Sequence, residues 1–452
     1  TDVGGGFSIG LGGLGFTMGV AGSWLLFSGL VGAWLASVLL VPRIKALADR
    51  EGWLSYGDFL EYRFDRKVRV LAAMIAGLGY AAFTGSQVLA GAKLAAVVFE
   101  VDLDFAIWCM AAVVLAYTAA GGLAAVMFTD AIQWLVLLFG LLCFALPAAL
   151  SAAGGLEGLR ATLPADHLDL FAVSAGEFTL WMFTIVPIWF VANTLYQRIY
   201  AARDTATAQR AFLYAGLLEW PLIAFAGATL GMLARALYPE VEPETGLPLL
   251  IREVLPVGVT GIVLAAYFSA ILSTADSCLL ASVGHIVCDI RPALRSAPAP
   301  QGSVDLFSQG NVVRIATLFV GVVAVLVARH APGVLSAVLL AYGFMVAGLT
   351  APTLAALFWP AAGARAAFAA ILTGGGLVLG LPALKAAWPQ AARTADGSAL
   401  FDAPGGFLFS TLLSAEPMIV ALAASTIILI VFTVLTKKIS GGPAGLDDTY
   451  AR

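Results

Sequence analysis

Residues 261–290 read GIVLAAYFSAILSTADSCLLASVGHIVCDI. At about 1.5 Å of rise per residue, a helix of this length crosses a bilayer with residues to spare. Its middle nevertheless carries Ser269, Ser273, Thr274, Asp276 and Ser277. Ala270, Ser273, Thr274 and Ser277 recur at i, i+3, i+4 and i+7 and share one face, with Asp276 beside it within a turn of Ser273. Two readings of the hydroxyls stand open. They can bond back to the carbonyl four residues earlier and let helices approach, or they can offer oxygen ligands to a small cation. Asp276 weighs toward the second, since a carboxylate at membrane depth costs about 2.5–3.5 kcal/mol even on lenient insertion scales and is by default a functional feature.

The surrounding chain supports a membrane setting. Of its 452 residues 61% are hydrophobic and only 12% charged, which describes an all-α polytopic membrane protein. No basic arm or stripe is present, so nucleic-acid binding is unsupported. Cys109, Cys143, Cys278 and Cys288 lie in apolar runs without CxxC spacing and read as buried thiols. Three scattered histidines, His167, His285 and His330, do not suggest a metal centre. The chain opens at Thr1 without an initiator Met or a signal pattern, so the numbering is expected to start inside a longer natural protein.

Apolar runs separated by polar or Gly/Pro punctuation predict half of a broken helix over 1–17. Full spans are predicted near 22–46, 68–98, 103–121, 127–152, 178–201, 208–237, 258–288, 311–331, 333–359, 365–387 and 413–436. Lys and Arg then orient them. With the loop after the second span cytoplasmic, Arg43 to Arg69, Arg198 to Arg210, Arg291 to Arg314, Arg365 and Lys437 to Arg452 all fall inside. Only Arg160, Arg235, Arg252, Arg329, Lys385 and Arg393 fall outside. The expected setting is a bacterial inner (plasma) membrane with the C-terminus cytoplasmic and the lipid bilayer as partner. Lys93, in the outer half of a span, is expected to snorkel outward. The stretch PETGLPLLIREVL at 243–255 predicts a short amphipathic helix over the external face.

Three further stretches carry chemistry. Thr1-Asp2-Val3-Gly4-Gly5-Gly6-Phe7 sets consecutive glycines in a would-be membrane helix, leaving carbonyls free to hold a cation. Thr129-Asp130 opens a span, where Asp130 is either an N-cap or a ligand. Pro187 to Arg198 combines a helix-disrupting proline with Trp189, Phe190, Asn193 and Tyr196, an arrangement that suits either packing or a pocket.

Taken together these residues resemble the sodium:solute symporter family, whose members carry sugars, proline, pantothenate, sialic acid, monocarboxylates and choline. GGGFSIGLGGLGFTMG resembles its glycine-rich broken first core helix, and AYTAAGGLAAVMFTDAIQ its YT..GGL..V..TD..Q segment. LYQRIYAARD resembles its QR-containing sixth helix end, and AILSTADSCLLAS its serine-rich eighth helix. The resemblance runs from Thr1 to about Trp359 and implies a LeuT-type fold, a five-plus-five inverted-repeat helical core with two extra C-terminal helices. On that mapping residues 1–152 form the first repeat with its first helix incomplete, 153–177 an external loop, 178–359 the second repeat, and 360–452 two peripheral helices and a cytoplasmic tail.

The resemblance further implies a principal sodium site at Val3, Ala270, Ser273 and Thr274. A possible second cation or proton site falls on Asp130, Asp276 and Ser277, with Ser273 shared. Substrate-binding candidates are Asp2, Phe7, Gln87, Trp189, Asn193 and Tyr342. The implied activity is sodium-coupled import of a small organic solute (amino acid, carboxylate, sugar or quaternary amine) by alternating access, with Na+ as coupling ion and no other cofactor. A proton-coupled carrier and a transporter-like sensor or receptor are the alternatives. A channel is disfavoured because the oxygens cluster at a few positions instead of lining a path. No nucleophile-base pair or cofactor motif suggests an enzyme.

Overall fold

The computed structural model describes residues 4–294, 311–387 and 416–437. Among them every regular element is a helix, with no strand. Helix α1 (Gly5–Met18) ends at Gly19, whose φ of 71° and ψ of −147° reverse the chain. A Cβ at Gly19 would lie 2.1 Å from the His167 carbonyl oxygen, so no other residue fits this turn without moving the loop above it. A 3-10 turn leads into α2 (Trp24–Leu35), and α3 (Val41–Glu51) continues it after a π-turn. Then follow α4 (Tyr56–Arg63), α5 (Arg66–Phe99), α6 (Leu103–Phe139) and α7 (Leu146–Ala152). Helix α8 (Gly155–Thr162) precedes α9 (Ala175–Val191), which bends by 43° into α10 (Asn193–Ala201). Helices α11 (Thr205–Leu218) and α12 (Phe225–Leu237) are joined by a π-turn over Glu219–Ala224. Beyond them come α13 (Pro243–Val254), α14 (Val257–Gly284), α15 (Arg291–Leu294), α16 (Asn311–His330), α17 (Val334–Phe358), α18 (Ala364–Ala387) and α19 (Pro417–Lys437).

Short polar residues start these helices where apolar runs begin. The carboxylates of Asp65 and Asp102 accept the third amides of α5 and α6, Val68 N at 2.9 Å and Phe105 N at 3.1 Å. Nine of the described helical runs are long and apolar enough to cross a bilayer, or ten if α9 and α10 count as one broken span. One expected helix boundary fails. The break predicted between 121 and 127 is not formed, and the helical backbone runs on from Leu103 to Phe139. The only punctuation there is Gly121-Gly122, and a glycine weakens a helix by only about 1 kcal/mol without ending it.

Helix α5 is the axis of the bundle, packed by α14, α16 and α17, while α1 lies against α12 and α13. The α1–α12 crossing is as close as backbones permit. A Cβ at Gly15 would lie 2.2 Å from Ala228 O, and one at Gly231 would lie 2.1 Å from Gly12 O. The expected helix at 243–255 is α13, and it holds Lys93 in a way the sequence did not suggest. That lysine is 6% exposed and does not snorkel. It pairs with Glu242 and, at 2.8 Å, with Glu244 of α13.

Candidate functional site

The unwound backbone between α9 and α10 has its polar groups met by distant side chains. Helix α9 runs through Pro187 and stops only at Val191, with Ala192 extended at φ −71° and ψ 113°. The Tyr196 hydroxyl donates to Phe190 O at 2.8 Å, and Thr194 N donates to the Tyr80 hydroxyl of α5 at 3.0 Å. Irregular backbone at membrane depth persists only with such partners.

The start of α1 meets the serine-rich helix α14 beside α5. Gly5 N donates to Gln87 Oε1 at 2.7 Å, and a Cβ at Gly4 would lie 2.6 Å from Thr274 Oγ1. In α14 the Ser273 and Thr274 hydroxyls both donate to the Ala270 carbonyl at 3.2 Å. The back-bonding read from the sequence is therefore present, and it assembles three oxygens at one place. A hard cation keeps its oxygens about 2.3–2.6 Å away, which sets neighbouring ligands at right angles about 3.3–3.7 Å apart. The two hydroxyl-to-carbonyl separations, 3.2 Å each, are hydrogen-bond lengths just below that range. Ser273 and Thr274 are buried, and Asp276, one turn on, is 0% exposed. Ser277 Oγ accepts from Arg198 Nη2 at 3.3 Å, so a guanidinium already stands at the hydroxyl expected to serve a second cation.

Of the other expected residues, Thr1, Asp2 and Val3 lie outside the described residues, as do the side chains of Phe7 and Asp130. Gln87 is committed to α1 through Gly5, and its Nε2 donates to Ser86 Oγ at 3.1 Å. Asn193 is turned to α4, where its Oδ1 accepts Tyr56 N at 2.9 Å. Trp189 and Tyr342 do reach a cavity. A small void of about 20 Å³ lies among Tyr80, Phe83, Trp189, Thr194, Glu219 and Tyr342. A larger cavity of about 380 Å³ shares Trp189, Thr194 and Glu219 with it and adds Trp134, Arg198 and Phe212.

Glu219 was missed by the sequence reading. Its signal was available, since it is a single carboxylate inside the apolar run LLEWPLIAF, and the cost that drew attention to Asp276 applies equally here. Thr194 and Tyr80 carried no such signal, because only the tertiary fold brings them to the break.

A helical bundle with a broken span, a hydroxyl cluster facing the start of another helix, and a partly open cavity beside the break defines a secondary transporter of the LeuT type. The comparisons agree. The family model of the sodium:solute symporter family matches residues 1–374, and the chain belongs to that family. It is 24% identical to a high-affinity proline transporter of Bacillus subtilis, over 84% of this chain and 81% of that one. It is 28% identical to a sodium/pantothenate symporter of Haemophilus influenzae, over 75% and 71%. Among solved structures a Na+-coupled sialic acid symporter superposes with a TM-score of 0.66 at 19% identity, covering 97% of this chain and 91% of that one. Mhp1, a nucleobase-cation-symport-1 family transporter, gives 0.53 at 14% identity, covering 96% and 93%.

Proposed function

We propose that this protein imports a small organic solute together with sodium by alternating access, the ion seated between the start of α1 and α14. The observation that carries the reading is the clustering of Ser273 Oγ and Thr274 Oγ1 on Ala270 O, with Thr274 Oγ1 packed against Gly4. Val3 is the further ligand that the family resemblance implies. Residues 1–152 and 178–359 serve as the two inverted repeats, with 360–452 peripheral. The Lys/Arg bias places α3 and the C-terminus on the cytoplasmic side. Curated relatives named for proline and pantothenate transport support an organic solute.

The driving force suffices for concentration. One charge crossing about 100 mV releases about 2.3 kcal/mol, and a tenfold sodium gradient adds about 1.4 kcal/mol. The total supports roughly 500-fold accumulation per ion at tight coupling. Arg198 beside Ser277 disfavours a second sodium there, and the remaining role of Asp276, with Asp130, is to carry a proton or a further cation.

The test is solute uptake by proteoliposomes under inward sodium, potassium or proton gradients at fixed voltage. Ser273→Ala with Thr274→Ala should raise the sodium concentration for half-maximal uptake at least tenfold, with the protein still monodisperse. Unchanged sodium dependence removes the site assignment. Uptake driven by protons without sodium turns the reading to Asp276 and Asp130 as proton carriers.

A further inference from the structure

We infer that the groove between α6 and α16 is a binding site for one anionic phospholipid, with Arg314 holding the phosphate.

A cavity of about 680 Å³ lies between these two helices over a floor made by α14. Leu115 and Ala116 line it from α6, Leu280 and Val283 from α14, and Arg314 and Leu318 from α16. Apart from Arg314 and two threonines its described wall is built of Leu, Val and Ala, and the Thr118 hydroxyl is already spent on Val114 O at 2.8 Å. Water gains little in such a space, because a buried water needs two to four polar partners. Close-packed interiors do not leave a void of this size empty either. The floor is closed and the mouth is open. Leu280 and Val283 are buried, whereas Ala116 is exposed and Leu318 is 62% exposed. In a bundle that spans a bilayer, what meets that mouth is an acyl chain.

The layout along α16 fits one leaflet. Arg314 stands in the first turn of this span. From it the exposed Leu318, Val322 and Leu326 follow at intervals of four residues and form one apolar stripe. The stripe runs about 18 Å from Arg314, against about 15 Å for half of a hydrocarbon core. A headgroup at Arg314 therefore has its chain laid along the stripe at leaflet depth. A partner helix fits the cavity poorly, since the lining covers only Val313 to Leu318 of α16, less than two turns.

Charge selects the headgroup. Arg314 is exposed and makes no hydrogen bond or ion pair among the described residues. No carboxylate among those residues lines the cavity. The phosphate of an anionic lipid thus meets a guanidinium that no side chain of the protein neutralises, in the geometry that suits forked contacts. The ammonium of a zwitterionic lipid finds no counter-charge there.

The experiment titrates the full chain, delipidated in detergent, with dioleoyl phosphatidylglycerol or dioleoyl phosphatidylcholine and counts bound lipid by native mass spectrometry. The expected result is one saturable phosphatidylglycerol adduct, formed at a concentration about 5-fold or more below that of the first phosphatidylcholine adduct. Arg314→Gln should bring the two lipids within about twofold of each other, and Arg314→Lys should keep most of the preference. Ala116→Phe fills the groove from α6 without touching the charge, and it should remove the saturable adduct. Both positions are exposed, so both substitutions are tolerated by the fold. Equal affinity for the two lipids in the parent, or a preference that survives either Arg314→Gln or Ala116→Phe, overturns the site.

Discussion

Asp289, at the end of the span 261–290, is fully buried and holds together three segments: its own helix end, the start of α4 and α5. Its Oδ1 accepts from Arg69 Nε at 2.9 Å, Arg69 Nη2 at 2.6 Å and Ser55 Oγ at 2.9 Å, while Oδ2 meets His285 Nδ1 at 2.7 Å. Arg69, 3% exposed, also pairs with Asp58 at 2.8 Å and Glu61 at 2.7 Å. The sequence reading counted Arg69 as one more loop cation, since nothing in residues 63–69 announces a carboxylate two hundred residues away. Removing one partner from such a buried cluster leaves uncompensated charge. Arg69→Met is therefore expected to destabilise by about 3–5 kcal/mol, seen as a large fall in the melting temperature of the detergent-solubilised protein. Arg69→Met combined with Asp289→Leu should recover much of that loss, because a pair replaced by apolar groups costs far less than a pair broken. Arg69→Lys should recover little, because one ammonium cannot reproduce the forked contacts to Asp289, Asp58 and Glu61.

At the scale of elements, the spans were legible because each is an apolar run bounded by caps or prolines, and predicted ends such as 311–331 and 333–359 fall within a residue of α16 and α17. What was not legible is how helix ends are satisfied. Pro187 pointed to a disrupted helix, yet the break comes at Ala192, where Tyr196 and Tyr80 can reach the freed groups. In the same way Glu244 of α13 caps a helix far from it in sequence. Its Oε2 accepts Val334 N at 2.8 Å, and its Oε1 accepts Leu335 N at 3.0 Å, while it also pairs with Lys93. A negative charge at the first amides of α17 meets both its unpaired donors and its dipole. Glu244→Gln should loosen this joint. Amide hydrogen exchange in the first turn of α17 is expected to speed up roughly 10-fold or more, with exchange in the middle of α5 unchanged. Equal protection in parent and variant would show that α13 is held by its apolar face on α1 alone.

On the scale of the whole molecule, the bundle is closed where α4 meets the α9–α10 break. Tyr56 N donates to Asn193 Oδ1 at 2.9 Å, and the Tyr56 hydroxyl lies 2.5 Å from Thr353 Oγ1 of α17. Asn193 was expected to touch substrate, because a polar tip beside aromatic residues reads as a pocket. In this structure its Oδ1 accepts Tyr56 N of α4, a contact that any opening of the bundle on that side would break. Losing a buried amide acceptor costs about 1–3 kcal/mol, which converts to a population shift of roughly 5- to 150-fold toward states in which α4 is detached. Cys278 of α14 can report that shift. It is buried in the same apolar cluster as Tyr56, whereas Cys109 and Cys143 are exposed and can be replaced by Ser, and half-buried Cys288 likewise. In that background Asn193→Ala is expected to accelerate maleimide labelling of Cys278 at least 5-fold. On the proposed sodium site, an ion between α1 and α14 that binds only the closed arrangement would stabilise it by about 2.7 kcal/mol at a hundred times its dissociation constant, so sodium should slow the labelling in the parent. Potassium should not. Ser273→Ala with Thr274→Ala should abolish the sodium effect while leaving the Asn193→Ala effect intact, which separates ion binding from closure. Labelling rates that ignore both sodium and the Asn193 substitution would mean that α4 is a fixed part of the scaffold, and that the path to and from the cavity opens elsewhere.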